Sequence, residues 1–535
     1  MAFTFQINND VQFQHNQALL DKSANYRPIL KETKVKAASI VALERDTQYL
    51  EGWGVKQIAP IERLSSYELK RDYQIIIDFG DHQVGQFSIN INAVGSPMDA
   101  PLCFKIKFAE MPAELARKSE DYDGWLSKSW IQEETVHLDV LPTTLTLPRR
   151  YSFRYAEITV VDTSPKWRAV FSNPVVTATS AVDTATVHQP ELADAQLQRI
   201  YEVGLKTLAD CMQDVFEDGP KRDRRLWIGD LRLQALANYA TFKDTDLVKR
   251  CLYLFGAMPT TAGRIPANVF TKPTAVPDDT FLFDYSLFFI SILADYEAFS
   301  SDKTVLNDLY RVAKNQMDLA LAQVTSEGKL KLTEENPVFI DWSNDFDKET
   351  AGQAIIIYTL KQFITLAELV NDTSLETYTA ILRKLNQYAK TQLFDSQSGL
   401  FVSGDQREVN VASQVWMTLA HVLDPEQTTA LMQTTVTKLF PITGIATPYM
   451  YHHITEALFE AGLKQEAVQL MKDYWGKMVT LGADTYWEAF DFNQPDYSPY
   501  GSPILNSYCH AWSCTPVYLI NKSRVVLVRH KIKKS

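Results

Sequence analysis

The hydrophobic period of the sequence changes near residue 190, and this change constrains the fold more than any other feature. From about residue 70 to 178, short segments alternate apolar and polar residues, as in YQIIIDF, QFSININ, CFKIKF and YAEITVV. A period of two with β-branched and aromatic enrichment predicts strands. From about residue 190 the period becomes 3.6, which predicts amphipathic helices. The chain therefore carries an all-β part followed by an all-α part.

The strand signals predict an antiparallel β-sandwich, because several strands follow one another without intervening helices. We assign this domain to residues 70–180. Residues 1–69 carry weaker signals and are assigned to an N-terminal arm or a partial β domain.

Eleven or twelve helical segments follow within residues 188–520, with no strands between them. Two architectures fit this pattern, a solenoid of helix pairs and a closed double ring of six helical hairpins. No consensus repeats at a fixed period, which counts against the solenoid. Several joining segments are rich in Trp, Tyr, Asp and Glu, and loops at one end of a closed ring converge on one pocket. We therefore predict an (α/α)6 toroid, followed by a short basic tail at residues 521–535.

Composition excludes some classes of partner. The formal net charge of −12 argues against nucleic acid and anionic membranes, which both select basic surfaces. The chain has no uncharged apolar stretch of about 18 residues and no signal peptide at its start. Its five cysteines are odd in number and widely spread, which indicates reduced thiols and a cytoplasmic protein. No Cys or His cluster has zinc-ligand spacing, so we expect neither a metal nor an organic cofactor.

The segment EDGPKRDRRLWIGD, at residues 217–230, has the most unusual composition in the chain. An Asp- and Arg-rich run is ordinarily a solvated loop that caps a helix. Here Trp227 and the Gly and Pro constraints favour a loop held in one shape. Crowding of Asp218, Asp223 and Asp230 would raise the pKa of one of them, while neighbouring arginines would lower it. The sequence leaves that balance open.

A second segment, DTYWEAFDF, places Glu488 directly after Trp487 in a stretch otherwise short of charge. Glu488 alone would be an ordinary residue at a helix start. Together with the first segment, it supplies the two carboxyl groups that glycosidic cleavage requires. The aromatic residues beside them offer apolar faces to sugar C–H groups.

Two smaller signals indicate the same pocket. Asp341 and Trp342, in FIDWSND, set a hydrogen-bond acceptor beside an aromatic face. His510, in NSYCHAWS, follows a small polar run, although a lone His is more often structural.

These segments, in this order, resemble the α-L-rhamnosidases of glycoside hydrolase family 78. The resemblance covers about residues 70–515 and includes IDFGDHQVGQFSINI, YSFRYAEITVV, DGPKRDRRLWIGD, FIDWSND, DTYWEAF and CHAWS. It implies a β-sandwich followed by an (α/α)6 toroid of the six-hairpin glycosidase type. It also implies inverting hydrolysis that releases terminal α-L-rhamnose from small rhamnosylated glycosides or oligosaccharides.

The resemblance assigns roles by motif position. Glu488 is implied as the general base that activates water. The family's general acid is a Glu, whose position falls without a gap on Asp223 and with a one-residue gap on Arg224, which cannot donate in this way. Asp218 and Asp230 match flanking aspartates that hold sugar hydroxyls. The implied remainder of the sugar pocket is Arg222, Trp227, Asp341, Trp342, Trp487 and His510.

Two alternative functions stay open at this point. The first is another activity on the same barrel, such as a different glycosidase or a phosphorylase. A phosphorylase needs a basic phosphate site beside the base, and the segment around Glu488 holds no Lys or Arg. The second is a non-catalytic carbohydrate-binding relative, because the acid position is altered and the family's C-terminal β-sandwich has no counterpart here. In each case the partner is a small carbohydrate, and homo-oligomerisation stays undecided.

Overall fold

An antiparallel β domain precedes a helical domain in the computed structural model, which describes residues 11–523. The predicted fold class is confirmed. Of the predicted basic tail at 521–535, residues 524–535 lie outside the described range. Within that range, no helix combines the length and apolar character needed to cross a bilayer.

The β domain is one nine-stranded antiparallel sheet, folded on itself around a single long strand. Its strands are β1 (Lys31–Lys36), β2 (Ser39–Arg45), β3 (Trp53–Pro60), β4 (Gln74–Gly95), β5 (Leu102–Ala109), β6 (Glu133–Leu138), β7 (Thr143–Thr146), β8 (Tyr151–Asp162) and β9 (Trp167–Ser180). β4 pairs with β8 through its first half and with β9 through its second half. A register shift between Asp78 and Gln83, where Gly80 has a φ of 81°, bends β4 between the two halves. The sheet thereby encloses one apolar core.

The first of the described helices packs against the helical domain, the second belongs to the β domain, and the eleven that follow build the helical domain. They are α1 (Gln17–Asn25), α2 (Pro112–Leu115), α3 (Ala195–Cys211), α4 (Ile228–Ala240), α5 (Thr245–Ala257), α6 (Phe283–Ser300), α7 (Lys303–Leu321), α8 (Glu349–Leu369), α9 (Leu375–Tyr388), α10 (Val411–Leu419), α11 (Pro425–Leu439), α12 (Pro448–Glu460) and α13 (Lys464–Thr480). Short strands lie in the connecting loops: β10 (Leu226–Trp227), β11 (Asn268–Phe270), β12 (Val276–Pro277), β13 (Phe394–Asp395) and β14 (Leu400–Phe401).

The helical domain is a closed ring. The even-numbered helices α4, α6, α8, α10 and α12 contact one another in order and are largely buried. Residues 516–523 form a further helical segment that joins the two ends of this series. Lys522 Nζ donates to Glu456 Oε1 of α12 at 2.8 Å, and Asn521 Nδ2 donates to the Ala240 carbonyl of α4 at 3.5 Å. The ring therefore has six inner helices in the described part of the chain, and the solenoid alternative is wrong.

A buried ion pair joins the two domains beside the segment 217–230. Lys221 Nζ binds Glu114 Oε1, and both side chains are almost fully buried. Lys221 also donates to the carbonyl oxygens of Ile504 at 3.1 Å and Asn506 at 2.8 Å. Glu114 Oε2 accepts backbone N–H groups that open α2. This lysine therefore connects the β domain to two loops of the helical ring.

We expect Lys221→Met to lower the free energy of unfolding by about 3–5 kcal/mol, because it leaves a buried carboxylate without its cation. Chemical denaturation measures this loss. Lys166→Met is the matched control, since Lys166 pairs with Asp99 in an exposed ion pair and its loss should cost less than about 1 kcal/mol. Equal losses in the two variants would contradict the role given to Lys221.

Candidate active site

Loops of both domains meet around one cavity of about 220 Å³ at the end of the helical ring. Most of the residues singled out in the sequence line this cavity. They are Asp218, Arg222, Asp223, Trp227, Asp230, Trp342, Glu488 and His510. The fold thus brings together the segments that the sequence identified separately.

The loop between α3 and α4 is held in one shape by the Asp218 carboxylate. Oδ2 of Asp218 accepts the backbone N–H of Asp223 at 3.0 Å, and Oδ1 accepts that of Arg225 at 2.9 Å. Gly219 lies against the same turn, where a Cβ would come within 2.4 Å of the Arg222 carbonyl oxygen. Only glycine fits such an approach without displacing the backbone. The loop is therefore a rigid support for the side chains of Arg222 and Asp223.

Arg222 links the two carboxyl groups expected to carry the chemistry. Its Nη2 donates to Glu488 Oε2 at 2.5 Å, and its Nη1 donates to Asp223 Oδ1 at 3.3 Å. Its Nε donates to the Leu505 carbonyl at 3.0 Å, and the guanidinium lies 3.9 Å from the centre of the Tyr500 ring. The Tyr500 hydroxyl donates to the other oxygen of Glu488. Both oxygens of Glu488 are thus bound.

The sequence segment around Glu488 holds no Lys or Arg, but the fold brings the guanidinium of Arg222 to this carboxylate. Arg222 precedes Glu488 by 266 positions, so no local pattern around Glu488 could reveal it. Each terminal nitrogen of Arg222 already binds a carboxylate. The guanidinium therefore acts as a bridge between two acids and is not an open phosphate site.

Removal from water governs the protonation of the acidic groups. Burial, reinforced by the charge of Asp223, raises the pKa of Asp218 to about 7. Burial, followed by the charge of Asp218, raises the pKa of Asp230 well above its usual range. Burial also raises the pKa of Glu488, although Arg222 opposes this shift. Burial outweighs Arg222 at Glu488, and at Asp218 and Asp230 the neighbouring carboxylates act in the same direction as burial. The direction that the sequence left open is therefore upward for Asp218 and Asp230.

His510 lies between two of these acids. Its Nδ1 is 3.5 Å from Asp230 Oδ1, and its Nε2 is 4.0 Å from Asp218 Oδ2. Burial and the positive charge of Arg222 hold the pKa of His510 well below its usual value, so the ring is neutral. Among the described residues, neither His510 Nδ1 nor Asp230 Oδ1 has a hydrogen-bond partner. Buried polar atoms that line a cavity in this state are suited to bind hydroxyl groups of a ligand.

Two of the predicted residues lie behind the cavity wall and do not line it. The Asp341 carboxylate accepts the backbone N–H groups of Ala446 at 3.0 Å and Thr447 at 3.1 Å, so it joins two loops. Trp487 is 1% exposed and packs edge-on against Phe490 and Tyr508. Because Glu488 takes the cavity side of this non-helical segment, its neighbour points into the core. The sequence does not show that the side chains of Asp341 and Trp487 point away from the cavity.

Some lining residues went unrecognised in the sequence. Trp125, Leu126 and Trp130 come from the β domain, in the connection between β5 and β6. A connection of this length without strands is often functional, and it carries the aromatic run WLSKSW, so a signal was present. The remaining lining residues are Arg225, Asp278, Asp279, Thr280, Leu282, Tyr285, Phe339, Tyr500 and Trp512.

One buried cluster outside the cavity has ligand types that metals use, namely His82, Asp210 and Cys509. The geometry instead fits a hydrogen-bonded network between the domains. His82 Nδ1 is 2.7 Å from Asp210 Oδ2, and its Nε2 is 3.0 Å from Ser152 Oγ. Lys206 also binds the Asp210 carboxylate. Both ring nitrogens and the carboxylate are therefore already occupied.

Comparison with known proteins gives a consistent result. Residues 37–178 match the glycosyl hydrolase family 78 alpha-rhamnosidase N-terminal domain, and residues 190–523 match the bacterial alpha-L-rhamnosidase 6 hairpin glycosidase domain. A rhamnosidase from Klebsiella oxytoca with rhamnose bound is 41% identical, with a TM-score of 0.93, and the match covers 96% of this chain and 100% of that one. No match was found among curated protein sequences.

More distant solved structures share the fold. A family 78 rhamnosidase of Bacillus sp. GL1 is 20% identical, with a TM-score of 0.70 over 88% of this chain and 49% of that one. An alpha-L-rhamnosidase from Streptomyces avermitilis, complexed with L-rhamnose, is 15% identical, with a TM-score of 0.65 over 92% of this chain and 44% of that one.

We expect Asp218→Asn to lower the free energy of unfolding at low pH, and to lower it by a smaller amount as the pH rises. The pKa of Asp218 is about 7 in the folded protein and near 3.8 ordinarily, so its protonated form stabilises the fold at low pH. This contribution, on the order of 4 kcal/mol, is lost between about pH 4 and pH 7. Because the variant has no carboxyl group at this position, its stability does not undergo this decrease. Unfolding free energies of both proteins at pH 4.5 and pH 8 measure the difference.

Asp139→Asn, which alters an exposed carboxylate, serves as the control. Its free energy of unfolding should differ from that of the parent protein by the same amount at both pH values. If Asp218→Asn lowered the free energy of unfolding by the same amount at both pH values, the Asp218 carboxylate would be ionised throughout this range, and the raised pKa would be contradicted.

Proposed function

Because the chain belongs to glycoside hydrolase family 78, the bacterial α-L-rhamnosidases, we propose that it releases terminal α-L-rhamnose with inversion from small rhamnosylated glycosides or oligosaccharides. In this proposal Glu488 is the general base and Asp223 is the general acid. Asp218, Asp230 and His510 bind the hydroxyl groups of the sugar.

The observation that carries the proposal is the pair of carboxyl groups bound to one guanidinium. Glu488 and Asp223 occupy opposite terminal nitrogens of Arg222 and both line the cavity. In inverting glycosidases the two carboxyl groups stand about 6.5–9.5 Å apart, which leaves room for the attacking water. The guanidinium of Arg222 stands between the two carboxyl groups and keeps them from direct contact, and retaining enzymes hold their two carboxyl groups at only about 5–5.5 Å.

Each acid has an environment that suits its role. Glu488 receives two hydrogen bonds, from Arg222 and Tyr500, and both favour the ionised form that a base requires. The carboxyl group of Asp223 is one methylene shorter than the family's Glu. The backbone N–H of Asp223 donates to the Asp218 carboxylate, which fixes the backbone from which the shorter side chain extends.

The size of the cavity supports a single sugar as the bound group. At about 220 Å³ it is smaller than the 300–1,000 Å³ typical of pockets for drug-sized ligands. One terminal rhamnosyl unit is therefore the natural occupant, with the leaving group at the mouth. The five scattered cysteines support action in the cytoplasm on small imported glycosides.

The direct test is the release of p-nitrophenol from its α-L-rhamnopyranoside, beside other p-nitrophenyl sugars. We expect turnover of the rhamnoside alone, and a loss of at least about 10²–10⁴-fold in kcat for Glu488→Gln. Asp223→Asn should lose a similar factor on a rhamnosyl disaccharide but less on the nitrophenyl glycoside, because nitrophenolate leaves without needing a proton. Proton NMR of the first product should show the inverted anomer.

The same panel separates the alternatives. A well-folded protein that binds L-rhamnose but turns over no glycoside would be a non-catalytic relative. Turnover of a different sugar would identify another glycosidase on this barrel. If Asp223→Asn lowered kcat equally on the disaccharide and on the nitrophenyl glycoside, Asp223 would not be the general acid.

We expect Tyr500→Phe to move the acidic limb of the kcat/KM profile to higher pH. The hydroxyl of Tyr500 donates to Glu488 and lowers the pKa of that carboxyl group, which burial has raised. Without the hydroxyl the pKa rises further, and the base becomes ionised only at higher pH. The measurement is kcat/KM on the nitrophenyl rhamnoside between pH 4 and pH 8.

Tyr296→Phe removes a hydroxyl that binds Asp302 far from the cavity, so its profile should match that of the parent. If the limb of Tyr500→Phe stayed in place or moved to lower pH, Tyr500 would not act on the protonation of Glu488.

A further inference from the structure

The mouth of the cavity has an aromatic wall that the β domain supplies. Trp125, Leu126 and Trp130 line this side, and all three belong to the segment Tyr122–Trp130, here called the tryptophan segment. Trp342 of the helical domain lines the cavity with them. Asp218, Asp230, Glu488 and His510 are almost fully buried, so the base of the cavity is polar, whereas the wall that the β domain supplies is apolar.

The tryptophan segment is anchored to the loop that carries Tyr500. Trp125 Nε1 donates to the Pro499 carbonyl at 3.1 Å, and its ring centre lies 5.6 Å from that of Tyr500. At Gly124 a Cβ would come within 2.4 Å of the Tyr500 carbonyl oxygen, so the two backbones are in direct contact. The Tyr122 hydroxyl closes the segment on itself by donating to the Leu126 carbonyl at 3.1 Å. The aromatic wall is therefore preorganised in the ligand-free protein.

Trp125 nevertheless remains 48% exposed, although its indole N–H is bonded to Pro499. An exposed aromatic ring with its polar atom already engaged offers a ligand its apolar face. The base of the cavity is closed, since His510 and Trp512 are almost fully buried. A group attached to a sugar at the base extends toward the mouth of the cavity, where Trp125 is the most exposed aromatic residue of the lining.

We propose that the tryptophan segment is the leaving-group subsite, and that it selects glycosides whose leaving group has a flat apolar face over those whose leaving group is a second sugar. This inference rests on the proposed function. The aromatic side chains offer stacking area but few free hydrogen-bond donors, whereas a sugar leaving group presents hydroxyl groups that need polar partners. The β domain thus sets the preference for the leaving group, while the helical ring holds the terminal sugar.

The experiment compares Trp125→Ala with the parent protein on p-nitrophenyl α-L-rhamnoside and on a disaccharide that ends in α-L-rhamnose. Loss of one stacking face should lower the ratio of kcat/KM for the aryl glycoside to that for the disaccharide by about tenfold. Most of this change should appear in KM. Trp125→Phe keeps an aromatic face and should recover part of the ratio.

Tyr73→Ala is the matched control, because Tyr73 is a similarly exposed aromatic residue of the β domain, 46% exposed, that does not line the cavity. Its ratio should equal that of the parent. Inhibition by free L-rhamnose reports on the sugar pocket and should stay within about twofold in Trp125→Ala. A parallel loss on both substrates together with weaker rhamnose inhibition would mean that Trp125 only supports the fold of the cavity, and would overturn the inference.

A binding measurement separates this inference from the proposed function. In a Glu488→Gln background, calorimetry compares the Kd of p-nitrophenyl α-L-rhamnoside with that of methyl α-L-rhamnoside, which lacks the aromatic group. We expect the nitrophenyl glycoside to bind about tenfold more tightly, and Trp125→Ala to abolish this advantage. Equal affinities of the two glycosides for Glu488→Gln would contradict the leaving-group subsite, even if the parent protein hydrolysed rhamnosides. Tighter binding of the nitrophenyl glycoside, together with no turnover by the parent protein, would contradict the proposed function alone.

Discussion

The arrangement of the loops around the cavity depends on the buried guanidinium of Arg222. A charge removed from water costs several kcal/mol unless close partners compensate it, so the chain must bring carboxylates to this point. Glu488 and Asp223 provide them, and the Leu505 carbonyl and the Tyr500 ring complete the shell. These partners come from the loop before α4 and from the long loop after α13. One interaction therefore sets the position of two loops that are far apart in the chain.

The β domain belongs to the site and is more than a neighbour of the helical ring. Glu110 accepts the backbone N–H of Tyr508 at 2.6 Å, close to His510, and Glu114 binds Lys221 inside the acid-bearing loop. These buried carboxylates hold the loops from outside the ring, on the side that the helices do not cover. The same domain also supplies Trp125 to the mouth of the cavity. The loops around the cavity are thus held from the helical ring on one side and from the β domain on the other.

Enclosure of many carboxyl groups around few cations determines the chemistry of the cavity. Since burial penalises each ionised form, the protein takes up protons in place of accumulating charge. Burial raises the pKa of Asp230 and lowers the pKa of His510, which favours the uncharged form of both groups, and in that form each can both donate and accept a hydrogen bond. Groups of this kind match sugar hydroxyls, which also donate and accept. Glu488 differs from them because Arg222 and Tyr500 favour its ionised form.

The sequence by itself determined the features that local chemistry encodes. The change of hydrophobic period predicted the order of the two domains, and the turn residues around Asp218 predicted a loop of fixed shape, because periodicity and turn geometry act over a few residues. Only the tertiary structure decided that Arg222 meets Glu488, that Trp125 of the β domain reaches the cavity, and that Trp487 turns away from it. The direction of the pKa shift at Asp218 was decided in the same way. Each of these outcomes depends on which segments pack together over long distances in the chain and on how much water they exclude, and no local pattern carries that information.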